Sequence, residues 1–204
     1  MSIYSLKPRF QALLLPLVAR LHTAGVTANQ VTVAACTVSV LLGFALTALP
    51  TVSFVLIPIW MFVRMALNAV DGMLAREFGH KSVLGAYLNE LTDVISDAAL
   101  YLPFAFFAPF SVWSVAAVIF LSALSEMAGV IAQTTGASRR YDGPMGKSDR
   151  AFAFGALALW IGVVGTLPAW ADALMWIVAL LTAATVFNRV RMGLKELNGK
   201  VDKT

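Results

Sequence analysis

The sequence predicts an all-α membrane protein: six transmembrane helices preceded by an N-terminal amphipathic interfacial helix, with both termini cytoplasmic. Three observations lead there. The 204 residues are 59% hydrophobic and 13% charged, with a mean hydropathy of +0.80, whereas a soluble domain has about a quarter of its residues charged. Apolar stretches near 29–49, 53–76, 83–107, 112–136, 150–167 and 170–192 each approach the roughly 20 residues needed to cross a hydrocarbon core. Fourteen of the fifteen Lys and Arg residues fall before the first span, in alternate loops or after the last span. That is the asymmetry expected of cytoplasmic segments.

Taken in order, residues 1–28 form a lead-in whose Phe10, Leu13, Leu14, Leu17, Val18 and Leu21 recur at helical spacing and give one apolar face. The run is short, ends at Arg20 and lacks a small-residue cleavage site, so a helix lying on the cytoplasmic leaflet is expected rather than a signal peptide. The first span opens with "GVTANQVT" and carries the lone Cys36, which excludes an internal disulfide. The second ends at Arg76, and the third follows the short loop "EFGHKSVL". The turns around "LPTVS", "FAPFS" and "TLPAWAD" hold no Lys or Arg and belong on the opposite side. Residues 193–204 read as a cytoplasmic tail. No repeat or linker divides the chain, so a single membrane domain over 1–204 is expected. The net charge of +4 follows from this bias and from anionic headgroups, and calls for no nucleic acid.

Against this apolar background stands "NAVDGMLAREFGHKSVLGAYLNELTDVISD", residues 68–97. Arg64, Asn68, Asp71 and Ala75 share one face of the second span, and Asn89, Asp93 and Asp97 follow at one-turn intervals along the third. Two antiparallel helices joined by a short loop bring these stripes to one depth. A carboxylate in hydrocarbon is costly and needs a cavity, a cation or a basic partner. Oxygen donors from two helices suit Mg²⁺ or Mn²⁺ better than Zn²⁺. The bland alternative is that Asp71, Asp93 and Asp97 pair with Arg64 and Arg76 and hold the helices together.

The residues Asn68, Asp71, Gly72, Ala75, Arg76, Gly85, Asn89 and Asp93 stand in the register D-x2-D-G-x2-A-R-x8-G-x3-D-x3-D, with six of the eight defined positions identical. In this the chain resembles the CDP-alcohol phosphatidyltransferases. The resemblance extends to the amphipathic N-terminal helix, six spans and a basic loop before the fifth. It implies a divalent-metal-dependent enzyme of phospholipid synthesis. Such an enzyme moves a phosphatidyl or related unit from a CDP-linked donor to an alcohol and releases CMP. It would be a homodimer in the cytoplasmic (inner) membrane with its site facing the cytoplasm. By the same resemblance Asp71 is a metal ligand and Asp93 the general base. Asn68 and Asn89 stand at two further metal positions, Gly72, Ala75 and Gly85 give the donor nucleotide room, and Arg76 lies near the acidic cluster.

Two departures bear on the chemistry. Asn68 and Asn89 replace aspartates of the signature, and an amide oxygen can ligate a hard cation but does not neutralise it. Asp97, one turn beyond Asp93, is expected to restore part of the charge, so that Asp71, Asp93 and Asp97 hold one tightly bound Mg²⁺ or Mn²⁺. The loop "SRRYDGPMGKSDR" at 138–150 adds Arg139, Arg140, Lys147 and Arg150. These suit an acceptor phosphate, and the Gly146–Lys147 step is similar to the loop of family members with phosphorylated acceptors, a resemblance that implies a phosphorylated polyol such as glycerol 3-phosphate. With CDP-diacylglycerol as donor, the expected activity is phosphatidyl transfer to a small alcohol. The rivals are transfer of a CDP-alcohol headgroup to diacylglycerol, a catalytically degenerate CDP-lipid-binding protein, and a cation-binding membrane transporter.

Overall fold

The computed structural model describes residues 6–201, with side chains from 10 to 199. Expectations that fall on residues 1–5 and 202–204, Lys203 among them, lie outside the described residues. Among the described residues seven α-helices run in the order α1 (Leu6–Thr23), α2 (Ala28–Leu46), α3 (Leu56–Glu77), α4 (Val83–Tyr101), α5 (Val112–Thr134), α6 (Lys147–Val164) and α7 (Ala171–Val201), and short 3₁₀ turns span Thr51–Val55 and Leu102–Phe106. Among the described residues there is no strand.

Local chemistry sets the helix starts. Thr27 and Gln30 form a reciprocal cap at α2, Thr27 Oγ1 accepting from the Gln30 amide at 3.3 Å and Gln30 Oε1 from the Thr27 amide at 2.9 Å. Ser82 caps α4 by accepting from the Gly85 amide at 2.9 Å, and Ser111 caps α5 through the Ser114 amide at 3.0 Å. Gly165, at φ +80°, closes α6 in the left-handed conformation. The expected third span, 83–107, is interrupted at Tyr101: Pro103 sits in the following 3₁₀ turn, since a proline ring cannot continue an α-helix.

Within the expected tail, residues 193–204, α7 continues to Val201. The reason is side-chain anchorage: Glu196 accepts from the Ser138 amide at 3.0 Å and hydroxyl at 2.6 Å, and pairs with Arg140 at 2.8 Å. The basic loop was expected to reach residue 150, but α6 begins at Lys147, where Asp149 Oδ2 accepts from the Gly146 amide at 2.9 Å. Lys147 and Arg150 are therefore first-turn helix residues.

Helix α2 packs between α3 and α4, α5 lies against α4 and α7, α6 covers α3, and α1 lies on α3. The α2–α4 approach depends on Gly43, where any Cβ would overlap the Ala99 carbonyl. The predicted apolar face of α1 divides. Val18 is buried with Leu14 and Leu21 against Val70, Met73 and Leu74, while Leu13 and Leu17 face outward, as suits a helix wedged between protein and lipid. A larger core forms from α4, α5, α6 and α7 around Leu100, Phe104, Phe154 and Met175, with Tyr101 stacked on Phe154 at 3.7 Å.

Large apolar side chains such as Leu41, Phe44, Phe62, Phe120, Leu180 and Phe187 are exposed, whereas Arg64, Asp71, Asp97, Glu126, Arg150 and Arg189 are buried. This inside-out polarity belongs to a membrane fold. Ala28–Leu46, Thr51–Glu77, Val112–Thr134 and Ala171–Gly199 are long and apolar enough to cross a membrane. Helices α4 and α6 are of similar length but carry Glu90, Asp93 and Asp97, and Lys147, Asp149 and Arg150. Most of that charge enters the ion pairs described next.

Candidate functional site

The polar residues gather between the two cores, where α3, α4, α5, α6 and α7 come together. Arg64, on α3, is the clamp. Its Nη1 donates to Asp97 Oδ1 at 2.5 Å, and its Nη2 donates to both the Asp93 carbonyl at 3.2 Å and Asp93 Oδ1 at 3.1 Å. One planar guanidinium thus fixes two successive turns of α4, a task for which its forked geometry is suited. The second Asp93 oxygen pairs with the Lys147 ammonium, and Asn68 Nδ2 lies 3.5 Å from Oδ1.

Asp71 faces α2, where the Thr32 hydroxyl donates to its Oδ2 at 2.7 Å, and the carboxylate lies within electrostatic reach of both Asp93 and Lys147. Thr32 is a residue that sequence reasoning missed. Its signal was faint: one hydroxyl in "GVTANQVTVAA", a turn beyond the cap of the first span.

Gly85 owes its place to a close approach. A Cβ there would stand 2.8 Å from Asn29 Oδ1 and 3.0 Å from Ser82 Oγ, so the glycine lets the start of α2 meet the cap of α4. At Gly72 a Cβ would stand 3.0 Å from Arg76 Nη1; the exposed Arg76 lies back over Gly72, and Ala75 is half-buried beside it. Asn89 Nδ2 donates to Glu90 Oε1 at 3.3 Å.

Asp97 is where the geometry departs from expectation. Instead of joining Asp71 and Asp93 as a third carboxylate for one ion, it is held by Arg64 and lies 3.7 Å from Arg150 Nη2. Among the described residues no group of three or more His, Cys, Asp and Glu is arranged to hold a metal. The expected alternative pairing is present for Asp93 and Asp97, both with Arg64, while Arg76 makes no ion pair among the described residues. What remains toward a metal is Asp71 and Asp93 with the amides of Asn68 and Asn89. Two carboxylates with added oxygen donors fit one hard divalent ion completed by substrate phosphate. They do not fit two, because two asparagines carry no charge to offset the second.

The four basic residues expected to form one phosphate pocket are distributed. Arg139 binds Glu90 through both guanidinium nitrogens, the Nη2–Oε2 contact being 2.8 Å, and covers Tyr141 at 5.3 Å. Arg140 is turned away, bonded to Asp142 at 2.8 and 3.0 Å and to Glu196; its fork holds the Asp142 carboxyl below the ordinary carboxylate value. Lys147 faces the Asp71–Asp93 pair. Arg150, fully buried, bonds Ser125 Oγ at 3.1 Å, the Met145 carbonyl at 3.2 Å and Glu126 Oε1 at 3.0 Å. Arg189 was counted in sequence with the cationic end of the chain. It instead enters the interior, donating to the Ser125 carbonyl and lying 3.3 Å from Glu126 Oε2.

An open groove of about 610 Å³ between α3 and α6 leads to this cluster. Phe62, Met65, Phe152 and Leu159 line its apolar side, and Arg64, Asn68, Asp97 and Lys147 its polar end.

Comparison with known proteins bears on the family and the fold. The family model of the CDP-alcohol phosphatidyltransferases matches residues 25–186. The chain is 45% identical over 192 residues to the inner membrane protein YnbA of Escherichia coli (strain K12), covering 94% of this chain and 96% of that protein. Its fold is similar to that of Mycobacterium tuberculosis phosphatidylinositol phosphate synthase PgsA1. The crystal structure of that protein with CDP-DAG bound gives a TM-score of 0.74 at 22% identity, covering 87% of this chain and 92% of that one. Its complex with manganese and citrate gives 0.74 at 22% identity, covering 88% of each chain.

Proposed function

The chain belongs to the CDP-alcohol phosphatidyltransferase family, and from that premise we propose that it moves a phosphatidyl group from CDP-diacylglycerol to the hydroxyl of a water-soluble alcohol, with release of CMP. The observation that carries this reading is the groove between α3 and α6. It is apolar along Phe62, Met65, Phe152 and Leu159 and polar where it meets Asn68, Lys147 and the Arg64–Asp97 pair. An amphiphilic donor has that same division, acyl chains at one end and a pyrophosphate at the other. A transporter reading has no use for an acyl-sized apolar groove ending on Arg64, Asn68, Asp97 and Lys147.

In the proposed reaction the acceptor hydroxyl gives its proton to Asp93 as its oxygen bonds to the lipid-side phosphorus. The bond from that phosphorus to the bridging pyrophosphate oxygen breaks, and CMP leaves with the electron pair. Arg64 keeps Asp93 in place by gripping its carbonyl and Oδ1 together, which leaves Oδ2, paired with Lys147, as the oxygen that takes the proton. Protonation there releases Lys147 toward the phosphates. Asp71 and Asp93, with Asn68 and Asn89, would hold one Mg²⁺ or Mn²⁺, which supplies positive charge against the pyrophosphate and the leaving group. Gly72, Ala75, Arg76 and Gly85 would receive the nucleotide.

The reading includes six spans, with α4 and α6 crossing beside the four more apolar helices. It also includes an inner-membrane location, a site opening to the cytoplasm and the homodimer that the resemblance implies. The positive-charge asymmetry and the name of the E. coli relative support the location. CMP release by protein in lipid, from CDP-diacylglycerol with Mg²⁺ or Mn²⁺ and a panel of alcohols, tests the reaction. Release that requires an alcohol and disappears in Asp93→Asn is expected. CDP-diacylglycerol binding without release would mark a degenerate binding protein, and release from CDP-ethanolamine with diacylglycerol would mark headgroup transfer.

A further inference from the structure

The basic residues near the acceptor side already hold an anion that belongs to the chain. Arg150 from α6 and Arg189 from α7, both almost fully buried, converge on Glu126 of α5 at 3.0 and 3.3 Å. Arg139 reaches the same carboxylate at 3.8 Å. Three guanidinium groups around two oxygens make the surroundings of a bound phosphate, with a carboxylate in its place.

The charge of the whole cluster agrees. Five cations, Arg64, Arg139, Lys147, Arg150 and Arg189, face five carboxylates, Asp71, Glu90, Asp93, Asp97 and Glu126. The site is balanced before anything binds. One divalent ion and the donor pyrophosphate offset each other on entry. A phosphorylated acceptor adds nearly two further negative charges and finds none of these five cations unpaired. Arg140 is engaged by Asp142 and Glu196, and Arg76, which makes no ion pair among the described residues, lies over Gly72 on the donor side. To bind phosphate the pocket would have to break a buried ion pair, which is strongly unfavourable when the displaced charge has nowhere to go.

Hydrogen-bonding capacity, by contrast, is left over. The Nε atoms of Arg139, Arg150 and Arg189 are buried without a partner, and buried donors call for acceptors. Donors in excess, with charge already matched, suit hydroxyl oxygens.

We propose that Glu126 is the built-in anion of this pocket, and that it makes the enzyme select an uncharged polyol over its phosphate ester as acceptor. The proposal rests on the phosphatidyl-transfer reading, and it replaces the phosphorylated polyol that the four basic residues suggested in sequence. Glu126 acts as a specificity-determining residue through the arginines, without touching the reacting atoms.

The test compares glycerol and inositol with their monophosphates in the CMP-release assay, using the full chain in lipid with CDP-diacylglycerol and Mn²⁺. The wild type is expected to show at least a tenfold higher kcat/KM for the unphosphorylated alcohols, and no competition by millimolar inorganic phosphate. In Glu126→Gln the arginine pocket gains an unmatched charge. There the KM for the phosphate esters is expected to fall at least tenfold with kcat little changed, and inorganic phosphate is expected to become a competitor. Loss of a structural residue alone would lower activity toward both acceptor classes together. If Glu126→Gln fails to fold, the wild-type preference and phosphate competition decide. Preference of the wild type for the phosphate esters overturns this inference and leaves the transferase reading standing; CMP release with no acceptor of either class overturns both.

Discussion

Arg64 is the residue on which the site's geometry depends, because a single side chain joins α3 to two turns of α4. Removing it leaves Asp97 beside Arg150 and Asp93 beside Lys147, but Asp97 loses its 2.5 Å partner in a buried place. Breaking a buried pair from one side costs about 3–5 kcal/mol, whereas replacing both members by apolar residues is often neutral. Arg64→Met is therefore expected to lower the unfolding midpoint in detergent clearly, and the double variant Arg64→Met with Asp97→Leu to recover most of the loss. Equal midpoints for wild type and Arg64→Met would show that the clamp does not hold the helices. At Asp93 the expectation is chemical: Asp93→Asn should reduce CMP release by about 10²–10⁴-fold, the range for a general base, with CDP-diacylglycerol binding retained. Binding lost together with turnover would place Asp93 in ground-state recognition instead.

The signature residues were legible one by one, because their types and spacing fix one helix face each. What spacing could not reveal was which cation each carboxylate would meet. Asp97 lies on the Asn89–Asp93 face as expected, yet the partner it takes is Arg64, and that pairing is decided by where α3 lies across from α4. Glu126 and Arg189 are 63 positions apart in sequence, and only the packing of α5 on α7 brings them together.

Among the elements, the segment between α5 and α6 shows how a loop is tied to a helix by charge and by shape. Arg140 links Asp142 to Glu196 of α7. Gly143, at φ +137°, lies so close to α7 that a Cβ would stand 2.5 Å from Thr185 Cγ2. The Asp142 carboxyl is held below its ordinary value by Arg140, so it contributes stability above its unfolded value of about 3.9, and that contribution is lost as pH falls through the lower folded value. Protection factors of residues 138–146, corrected for the intrinsic pH dependence of amide exchange, are expected to fall on acidification below about pH 4 in wild type and to be already low above that pH in Asp142→Asn, the two converging at low pH. Protection factors independent of pH and equal in both would remove the ion pair from the account of the loop. The starts of α2, α4 and α5 lie within a residue of the expected spans, where Thr27, Ser82 and Ser111 cap them by local chemistry. The end of α7 was not, because its last turns are secured by Ser138 and Arg140 from a distant loop.

For the whole molecule, composition alone gave the membrane class, and the exposed apolar surface with its buried charged interior agrees with it. The helices α4 and α6, which carry half of the site's charged groups, are the two expected spans that fall outside the four most apolar ones, which follows if function places charge where lipid would exclude it. The same logic makes the fold sensitive to helix separation. Gly43→Ala should push α2 from α4 at the Ala99 carbonyl and cost about 1–3 kcal/mol, read as a lower unfolding midpoint. An unchanged midpoint would mean that the two helices can part freely.

The central claim is that the phosphatidyl unit itself is transferred. CDP-diacylglycerol labelled with ³²P at the lipid-side phosphate, incubated with the protein in bilayers, Mn²⁺ and an uncharged polyol, tests it most directly. The account predicts unlabelled CMP and a labelled phospholipid bearing the polyol, both absent in Asp93→Asn. Label that remains in CDP-diacylglycerol with every alcohol offered, or that appears in the nucleotide product, would contradict it.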